Sequence, residues 1–415
     1  GVTSVDNFLS SEAGDFPRQF VFIEDFDAYF KAIGDLNGVP NWQVPVLTPR
    51  ASSVTKEEVY GAYIQANIRT EIGDMPFSGN IGVRIARTST SASGFSQSIQ
   101  DVVRATANPA ATALITTFNT EAAVTIDNSY WNVLPSLNFV LEMRDDLFLR
   151  FAAAQTITRP TISDLSVAES FQTSNIETFS VTSGNPLLTP YKVNQVDIGL
   201  EYYGESGDTL SATFFYKGIN TFISEATVLE DSGFTLPFTG SLEQARTSQQ
   251  NRDGGRVLGL ELAATHYLDY ISALEGFGIQ ANYTYANASD DNAPQVVLPL
   301  VTAASLAVEG FAKHTFNLIG FYDKGPLQLR LAYNWRDTFL LSRQGARSFG
   351  LPEHSSSFGQ LDFSASYNIT DNLVATVEGI NITNQRLLRF EDIRERVSLI
   401  QYTGRRIRVG VRASF

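Results

Sequence analysis

The chain lacks cysteine altogether and is poor in methionine, tryptophan and histidine, with 2, 3 and 3 copies among 415 residues. Because cysteine is absent, disulfide frameworks and thiolate metal sites are excluded. Such a chain also suits folding outside a reducing compartment. Basic residues are too few to balance the acidic ones, and the formal net charge of −14 argues against a nucleic-acid partner.

Long apolar runs are also missing, since no stretch reaches the roughly 18 apolar residues that a membrane-spanning helix needs. The nearest candidate, 296–308, is short and contains Pro299, Thr302 and Ser305. Residues 1–10 show neither the basic start nor the apolar centre of a secretory signal peptide. Two interpretations remain: a soluble β-protein, or a membrane barrel whose apolar signal is spread over alternate residues.

Aromatic residues are abundant instead, with 29 Phe and 16 Tyr, and they favour strands over helices. The recurring unit is a segment of about ten residues that alternates between apolar and polar side chains, as a tilted membrane-spanning strand does. At the C-terminus one face carries Ile407, Val409 and Val411, and the other carries Arg406, Arg408 and Arg412. The apolar face would meet a core in a soluble sandwich and lipid in a membrane barrel.

This alternation predicts about 13 strands. They lie near residues 57–70, 77–90, 130–143, 147–157, 191–203, 209–223, 254–268, 276–286, 314–322, 327–336, 358–369, 373–381 and 406–415. The connections alternate in length, and the short ones are rich in Gly, Asp, Asn or Pro, which predicts tight turns. The long connections are 91–129, 158–190, 224–253, 287–313, 337–357 and 382–405.

The alternation of short and long connections predicts an up-and-down sheet with every long loop at the same end. Outer-membrane barrels have this asymmetry, with short periplasmic turns and long extracellular loops. We therefore predict an all-β fold, an antiparallel up-and-down transmembrane β-barrel over 57–415, with 1–56 as an extracellular loop segment. Single-chain bacterial barrels have an even number of strands, so we expect further N-terminal sequence or one more strand within 1–56.

Several short sequence motifs at these strand positions resemble motifs of TonB-dependent receptors, and they occur in the order and spacing of that family. They are 130–138 (YWNVLPSLN), 146–150 (DLFLR), 158–160 (TRP), 184–190 (GNPLLTP), 200–203 (LEYY), 214–220 (FFYKGIN), 378–384 (EGINITN) and 404–406 (GRR), with a terminal Phe415. The resemblance spans roughly 57–415 and is nearest to a subgroup linked to carbohydrate uptake.

The resemblance implies the C-terminal portion of a barrel of about 22 strands, plugged by an N-terminal domain. Neither that plug nor the TonB box, the short motif ahead of the plug that TonB binds, is found in this sequence. It also implies the outer membrane of a Gram-negative bacterium, with lipid, the TonB complex and the barrel-assembly machinery as partners. Phe415 would belong to the signal that the assembly machinery recognises.

The implied function is energy-coupled import of a scarce small-molecule nutrient, with an oligosaccharide as the first expectation. A ferric siderophore, imported by the same family, is the first alternative. A passive substrate-specific porin is another, and it would carry no plug. A third class is a non-transport protein, either a soluble β-sandwich or a surface binding module.

Charged side chains of both signs fall on the polar side of the alternation and are predicted to face the barrel lumen. They are Arg69, Arg84, Arg150, Asp197, Glu201, Lys217, Glu261, Arg330, Asp362, Glu378, Arg406, Arg408 and Arg412. They could contact a plug and steer solute, or form structural ion pairs between neighbouring strands. Candidate ligand contacts on the external side are Trp42, Tyr130 and Trp131, where sugar rings could stack, together with Arg159.

Enzymatic chemistry is not expected. His266 and His314 lie on predicted strands, and His354 stands beside Ser355–Ser357 in a loop, but adjacency in sequence does not make a catalytic triad. Zinc spacing and phosphate-binding loops are absent, and loop acids such as Asp290 and Asp291 lack the spacing of a calcium loop. We expect no resident metal and no cofactor.

Overall fold

The computed structural model describes residues 2–4, 19–21, 29, 52–97, 99–104, 114–173, 179–236, 240–290, 308–342 and 351–414. Its strands, in chain order, are β1 Val2–Ser4, β2 Gln19–Val21, β3 Ser53–Ile72, β4 Met75–Ser96, β5 Ile99–Arg104, β6 Leu114–Phe118, β7 Ala122–Arg144, β8 Leu147–Thr158, β9 Glu169–Thr173, β10 Phe179–Ser183, β11 Tyr191–Tyr203 and β12 Thr209–Leu236. They continue as β13 Gly240–Tyr267, β14 Phe277–Asp290, β15 His314–Lys324, β16 Leu327–Arg336, β17 Phe339–Ser342, β18 Glu353–Ser355, β19 Phe358–Thr370, β20 Leu373–Ile380, β21 Arg386–Glu391, β22 Val397–Tyr402 and β23 Arg406–Ala413. Short 3-10 turns at Ile162–Leu165 and Ser272–Leu274 are the principal helical elements described.

One large antiparallel sheet organises the molecule. Its strand order is β3-β4-β7-β8-β11-β12-β13-β14-β15-β16-β19-β20-β23, so each of these 13 strands pairs with the next long strand along the chain. All the predicted strands are present, and the prediction of an up-and-down antiparallel sheet is confirmed. Over the described residues the sheet is not closed on itself, since β3 and β23 each have a single neighbour in it.

The predicted alternation of connection lengths is confirmed as well. Short turns join β3 to β4, β7 to β8, β11 to β12, β13 to β14, β15 to β16 and β19 to β20. Four of these turns have only two residues. Two of the four place Gly73 and Gly325 at φ of 65° and 63°, a conformation that glycine adopts without strain. All the short turns therefore lie at one end of the sheet, and the long connections lie at the other.

The strand register divides the sheet into an apolar and a polar face. Paired residues point to the same side of a sheet, and following the pairs carries Val409 to Val377, Ala365 and Leu329 on one face. The same steps carry Arg408 to Glu378, Ser364 and Arg330 on the other face. Each strand thus contributes apolar side chains to one surface and polar ones to the opposite surface.

The apolar face is open to the surroundings. Ile64 is 72% exposed, Leu210 55% and Val409 72%, and the described strands include no second sheet layered upon them. A soluble sandwich would bury this face, whereas a membrane barrel presents it to lipid. Among the described residues no helix is both long and apolar enough to cross a membrane.

Buried hydrophobic clusters lie at the long-loop end instead. One consists of Val102, Leu114, Val181 and Leu242. The second consists of Leu165, Leu188 and Ile223, with Tyr191 packed against it. The connections at this end are therefore folded around cores of their own.

The long connections contain strands that the alternation of side chains did not predict. Strand β12 runs on to Leu236 and β13 already begins at Gly240, whereas the alternation predicted an end at 223 and a start at 254. The connections also contain the hairpin β5–β6, the strands β9 and β10, and the sheet β17-β18-β21-β22. These segments have no membrane on either side, so their sequences do not alternate in the way that marks a strand between lipid and water.

The four-stranded sheet extends the last part of the large sheet. Strands β16, β19, β20 and β23 are adjacent in the large sheet, and their continuations β17, β18, β21 and β22 are adjacent in the same order. Asn381 stands at the bend after β20 with φ of 54° and 1% exposure. Its Nδ2 donates to the carbonyl oxygens of Gln385 and Gly404 and to Thr403 Oγ1, and its Oδ1 accepts from the Gln385 backbone N–H.

The N-terminal boundary differs slightly from the predicted one. Strand β3 begins at Ser53 rather than at 57, so the first long strand includes residues assigned to the loop segment 1–56. Within that segment β1 and β2 pair antiparallel. Trp42 and Phe415 lie outside the described residues.

Candidate functional site

The charges predicted to face a lumen all belong to the polar face of the sheet. The register places Arg69, Arg84, Arg150, Asp197, Glu201, Lys217, Glu261, Arg330, Asp362, Glu378, Arg406, Arg408 and Arg412 on this one surface. The polar face thus carries charged residues on strands from β3, at one edge of the sheet, to β23, at the other.

Two ion pairs connect neighbouring strands on this face. Arg150 Nε lies 2.7 Å from Glu201 Oε2, and Tyr203 donates its hydroxyl to the same carboxylate oxygen at 2.9 Å. Arg408 Nη1 lies 3.5 Å from Glu378 Oε2. Both arginines are substantially exposed, so each pair contributes on the order of 0–1 kcal/mol to stability.

Asp362 has a structural role. Its Oδ1 accepts the backbone N–H of Asn381 at 2.7 Å and the Gln360 side-chain amide at 2.9 Å. This carboxylate therefore links the polar face to the bend at Asn381.

The other predicted charges have no ion-pair partner within 4 Å in the described part of the chain. They are Arg69, Arg84, Asp197, Lys217, Glu261, Arg330, Arg406 and Arg412. Arginine is in excess in this set, so the unpaired charge of the polar face is net positive. These side chains are available to a domain or a solute on that side of the sheet.

The candidate ligand contacts Tyr130 and Trp131 lie on opposite faces. Tyr130 pairs in register with Thr88 on the polar face. Trp131 pairs with Arg87 on the apolar face, is 64% exposed and has the Arg87 guanidinium 5.8 Å from its ring centre. An exposed indole on the apolar face suits an aromatic girdle at a lipid–water boundary better than a ligand contact.

Arg159, the fourth candidate, is engaged with the sheet. Its Nε lies 3.0 Å from Glu57 Oε1 on β3. The segment that follows Arg159 then folds over the polar face at the long-loop end of the sheet. Ser166 donates its hydroxyl to Ser53 Oγ at 2.8 Å, and Asn128 donates to the carbonyl oxygen of Leu188 at 3.3 Å.

A polar cavity of about 480 Å³ lies between this segment and the part of the β12–β13 hairpin at the long-loop end of the sheet. We call it the mouth cavity. Its lining residues are Ser163, Asp164, Ser166, Ala168, Glu169, Ser170, Thr182, Ser183, Gly184, Glu225, Thr247, Ser248 and Gln249. Sequence reasoning missed it because the lining comes from separate segments, none of which forms a motif. The segment 184–190 (GNPLLTP) was the one signal in the sequence. Its Gly184 lines the cavity, and a Cβ at this position would lie only 2.3 Å from Ser166 O, so a larger residue would not fit.

The wall of the mouth cavity is held by an ion-pair network. Arg246 Nη1 lies 3.0 Å from Glu169 Oε1 and its Nε lies 3.2 Å from Glu230 Oε2. Burial, the largest influence, disfavours the charge of Arg246, but the two carboxylates outweigh it and raise the pKa of Arg246 above its ordinary value. Ser96 donates to the other oxygen of Glu169 at 3.0 Å, so both oxygens of that carboxylate are occupied.

Another depression, of about 700 Å³, opens on the apolar face. It is lined by residues that include Ile64, Ile81, Pro135, Ala153 and Val196. These side chains belong to the surface that faces lipid in a membrane barrel, so this depression is not a solute site.

The histidines show no catalytic arrangement in the described part of the chain. His266 Nδ1 lies 3.1 Å from Asp208 Oδ2, His314 Nδ1 lies 2.7 Å from the Tyr283 hydroxyl, and His354 stacks on Phe390. No hydrogen bond joins any of them to a serine or threonine hydroxyl there. Among the same residues, no group of three or more His, Cys, Asp or Glu is placed to hold a metal ion.

Comparison with known proteins identifies relatives of this chain. The family model described as "TonB dependent receptor-like, beta-barrel" matches residues 4–384. No curated protein matches the sequence.

Solved structures share the fold at low identity. The siderophore receptor PirA of Acinetobacter baumannii is 17% identical, with a TM-score of 0.53 over 87% of this chain and 55% of its own. The ferric enterobactin receptor PfeA of Pseudomonas aeruginosa, solved as an R480A mutant with enterobactin, is 16% identical, with a TM-score of 0.54 over 87% and 55%. The ferric yersiniabactin uptake receptor FyuA of Yersinia pestis is 15% identical, with a TM-score of 0.50 over 88% and 46%. The chain thus spans about half the length of these structures.

Proposed function

The chain belongs to the TonB dependent receptor-like β-barrel family, and from this premise we propose that it takes part in energy-coupled import of a small-molecule nutrient across a bacterial outer membrane. The observation that carries the proposal is the two-faced sheet. Thirteen antiparallel strands, each adjacent to the next in one sheet, expose apolar side chains on one face and charges on the other. Lipid against the first face and water against the second is the arrangement of an outer-membrane barrel.

The unpaired, mainly basic charges of the polar face are proposed to contact an N-terminal plug domain, through which TonB acts in this family. A passive porin would need no such partner. The barrel-assembly machinery and the surrounding lipid are the other proposed partners, in a Gram-negative outer membrane.

A ferric siderophore is the first ligand class to test, because the structural neighbours include a siderophore receptor, a ferric enterobactin receptor and a ferric yersiniabactin uptake receptor. An oligosaccharide remains the second class. It is supported by the resemblance of phrases such as 130–138 and 184–190 to a carbohydrate-linked subgroup.

The test is uptake in cells that carry or lack the gene for this chain, each with and without functional TonB. Ferric siderophores labelled with radioactive iron and labelled oligosaccharides are supplied separately. We expect one of the two classes to accumulate only when both the gene and TonB are present. Accumulation that depends on the gene but not on TonB would contradict energy coupling and indicate a porin.

A further inference from the structure

We propose that the mouth cavity binds a solute that has no net negative charge and presents several hydroxyl or ammonium donors. This inference rests on the uptake function proposed above and narrows the class of solute. It follows from the chemistry of the cavity wall, which is rich in hydrogen-bond acceptors and includes no basic side chain among its lining residues.

Two carboxylates in the wall are available to a solute. The side-chain carboxylates of Asp164 and Glu225 make no hydrogen bond and no ion pair in the described part of the chain, whereas the Glu169 carboxylate is occupied by Arg246 and Ser96. A free carboxylate accepts hydrogen bonds only, so it selects a partner that donates. Hydrogen bonds to an ionised carboxylate are also roughly twice as strong as those between neutral groups.

Ser248 is a further polar residue of the cavity wall. It is 8% exposed, lines the cavity and has no hydrogen-bond partner for its hydroxyl in the described part of the chain. A hydroxyl that faces the cavity can both donate and accept a hydrogen bond, so Ser248 can add one contact to a bound solute.

The cavity also has fixed walls. Asn185 donates its backbone N–H to Asp164 O at 2.6 Å and its side-chain amide to Gln249 O at 3.0 Å, so opposite sides of the cavity are tied together. The cluster of Leu165, Leu188 and Ile223 anchors the same segments. A site held in place before binding loses less conformational freedom when the solute arrives.

An anionic solute would meet these carboxylates without a compensating cation. A ferric tris-catecholate is such a solute, because its deprotonated oxygens carry more negative charge than the iron carries positive. A ferric trihydroxamate with a free amine is cationic, and a neutral oligosaccharide presents many hydroxyls. The trihydroxamate and the oligosaccharide both present hydrogen-bond donors without net negative charge, although they are different kinds of compound.

The experiment measures binding to the intact purified receptor in detergent by isothermal titration calorimetry. The probes are ferrioxamine B as the cationic trihydroxamate, maltotetraose as the neutral oligosaccharide, and ferric enterobactin as the anion. The variants are the isosteric double substitution Asp164→Asn with Glu225→Gln, the single substitution Ser248→Ala, and the control Glu243→Gln. Glu243 is an exposed acid of the same hairpin that does not line the cavity.

We expect one of the two non-anionic probes to bind more tightly than ferric enterobactin. The double substitution should weaken that binding by about tenfold to a hundredfold, and Ser248→Ala should weaken it by a smaller factor. Glu243→Gln should leave the affinity unchanged.

Tighter binding of ferric enterobactin, failure of both non-anionic probes to bind, or an unchanged affinity in the double variant would each overturn the proposal. The purified receptor contains no TonB, so these outcomes concern the cavity alone. A receptor that binds as expected but imports nothing in a TonB-dependent way would contradict the uptake function and leave the binding inference standing.

Discussion

At the residue scale, Asn381 shows how one side chain supports the transition between two sheets. Its amide is buried and bonds the backbone just ahead of β21, at Gln385, and just ahead of β23, at Gly404. Its own backbone has positive φ. Asparagine tolerates this left-handed conformation better than most residues other than glycine. The phrase 378–384, which carried part of the family resemblance, therefore has a structural explanation in this bend.

Replacing Asn381 by Ala should lower the free energy of unfolding by on the order of 2–4 kcal/mol, because a buried side chain loses several hydrogen bonds and alanine resists positive φ. The free energy is measured by urea unfolding of the receptor in lipid vesicles. Asn372→Ala is the matched control, since Asn372 is exposed in a short turn, and its effect should stay within about 0.5 kcal/mol. Equal losses in the two variants would contradict this role for Asn381.

His354 is a second residue with a measurable consequence. Burial lowers the pKa of His354 below its ordinary value of 6.5, although nearby Asp392 acts in the opposite direction. The ring stacks on Phe390 with centroids 5.2 Å apart, and its Nδ1 is buried without a hydrogen-bond partner among the described residues. The folded state therefore disfavours the protonated form of this histidine.

Acidification should loosen the four-stranded sheet around His354. The unfolded state binds the proton more readily than the folded state does. The contribution of neutral His354 to the stability of the folded state is therefore complete above pH 6.5, and it is lost as the pH falls through the lowered pKa of the folded state. Hydrogen exchange of Glu353–Ser355 and Arg386–Glu391, corrected for intrinsic rates, should show protection falling with pH. His354→Phe keeps the aromatic stacking and should flatten this dependence, and an unchanged dependence in that variant would refute the assignment.

At the element scale, the strands divide into a part that lies between lipid and water and a part that does not. A strand of 28 residues such as β12 spans about 90 Å, whereas about ten residues cross a bilayer. The β12–β13 hairpin must therefore project far beyond the membrane, where it forms one wall of the mouth cavity. The element that spans the membrane is also the element that builds the proposed site.

Neighbouring residues of β13 offer a direct test of the two faces. Leu262 pairs with Tyr283 on the apolar face, and Ala263 pairs with Asn282 on the polar face. We expect Leu262→Arg to reduce the free energy of unfolding in lipid vesicles by about 2–4 kcal/mol, because the charge enters lipid. Ala263→Arg places the same charge in water and should cost far less. The reverse ranking would show that the faces are assigned the wrong way round.

At the scale of the whole molecule, the asymmetry between the two ends of the sheet decides the topology in the membrane. Short turns at one end and folded extensions at the other leave a single orientation consistent with an outer-membrane barrel. The buried clusters and the mouth cavity all lie at the extended end. The cavity that we propose to bind solute and the apolar face of the sheet are therefore separated along the strands.

The absence of cysteine allows this topology to be mapped with single labels. Glu395→Cys introduces a thiol in the exposed turn between β21 and β22, and Asp145→Cys introduces one in the short turn between β7 and β8. In intact cells a membrane-impermeant maleimide should label the first variant and not the second, whereas permeabilised cells should label both. Labelling of Asp145→Cys in intact cells would contradict the proposed orientation.

The sequence by itself determined the long strands, the side to which their residues point, and the sorting of connections by length. A strand between lipid and water must alternate, and a tight turn must carry residues such as Gly73 and Gly325, so these features are local and visible in the order of residues. Only the tertiary structure decided what the long connections do. The mouth cavity joins Asp164, Glu225 and Ser248 from separate segments of the chain. Those relations depend on packing between residues far apart in the chain, in surroundings that are wet on every side and impose no periodic pattern.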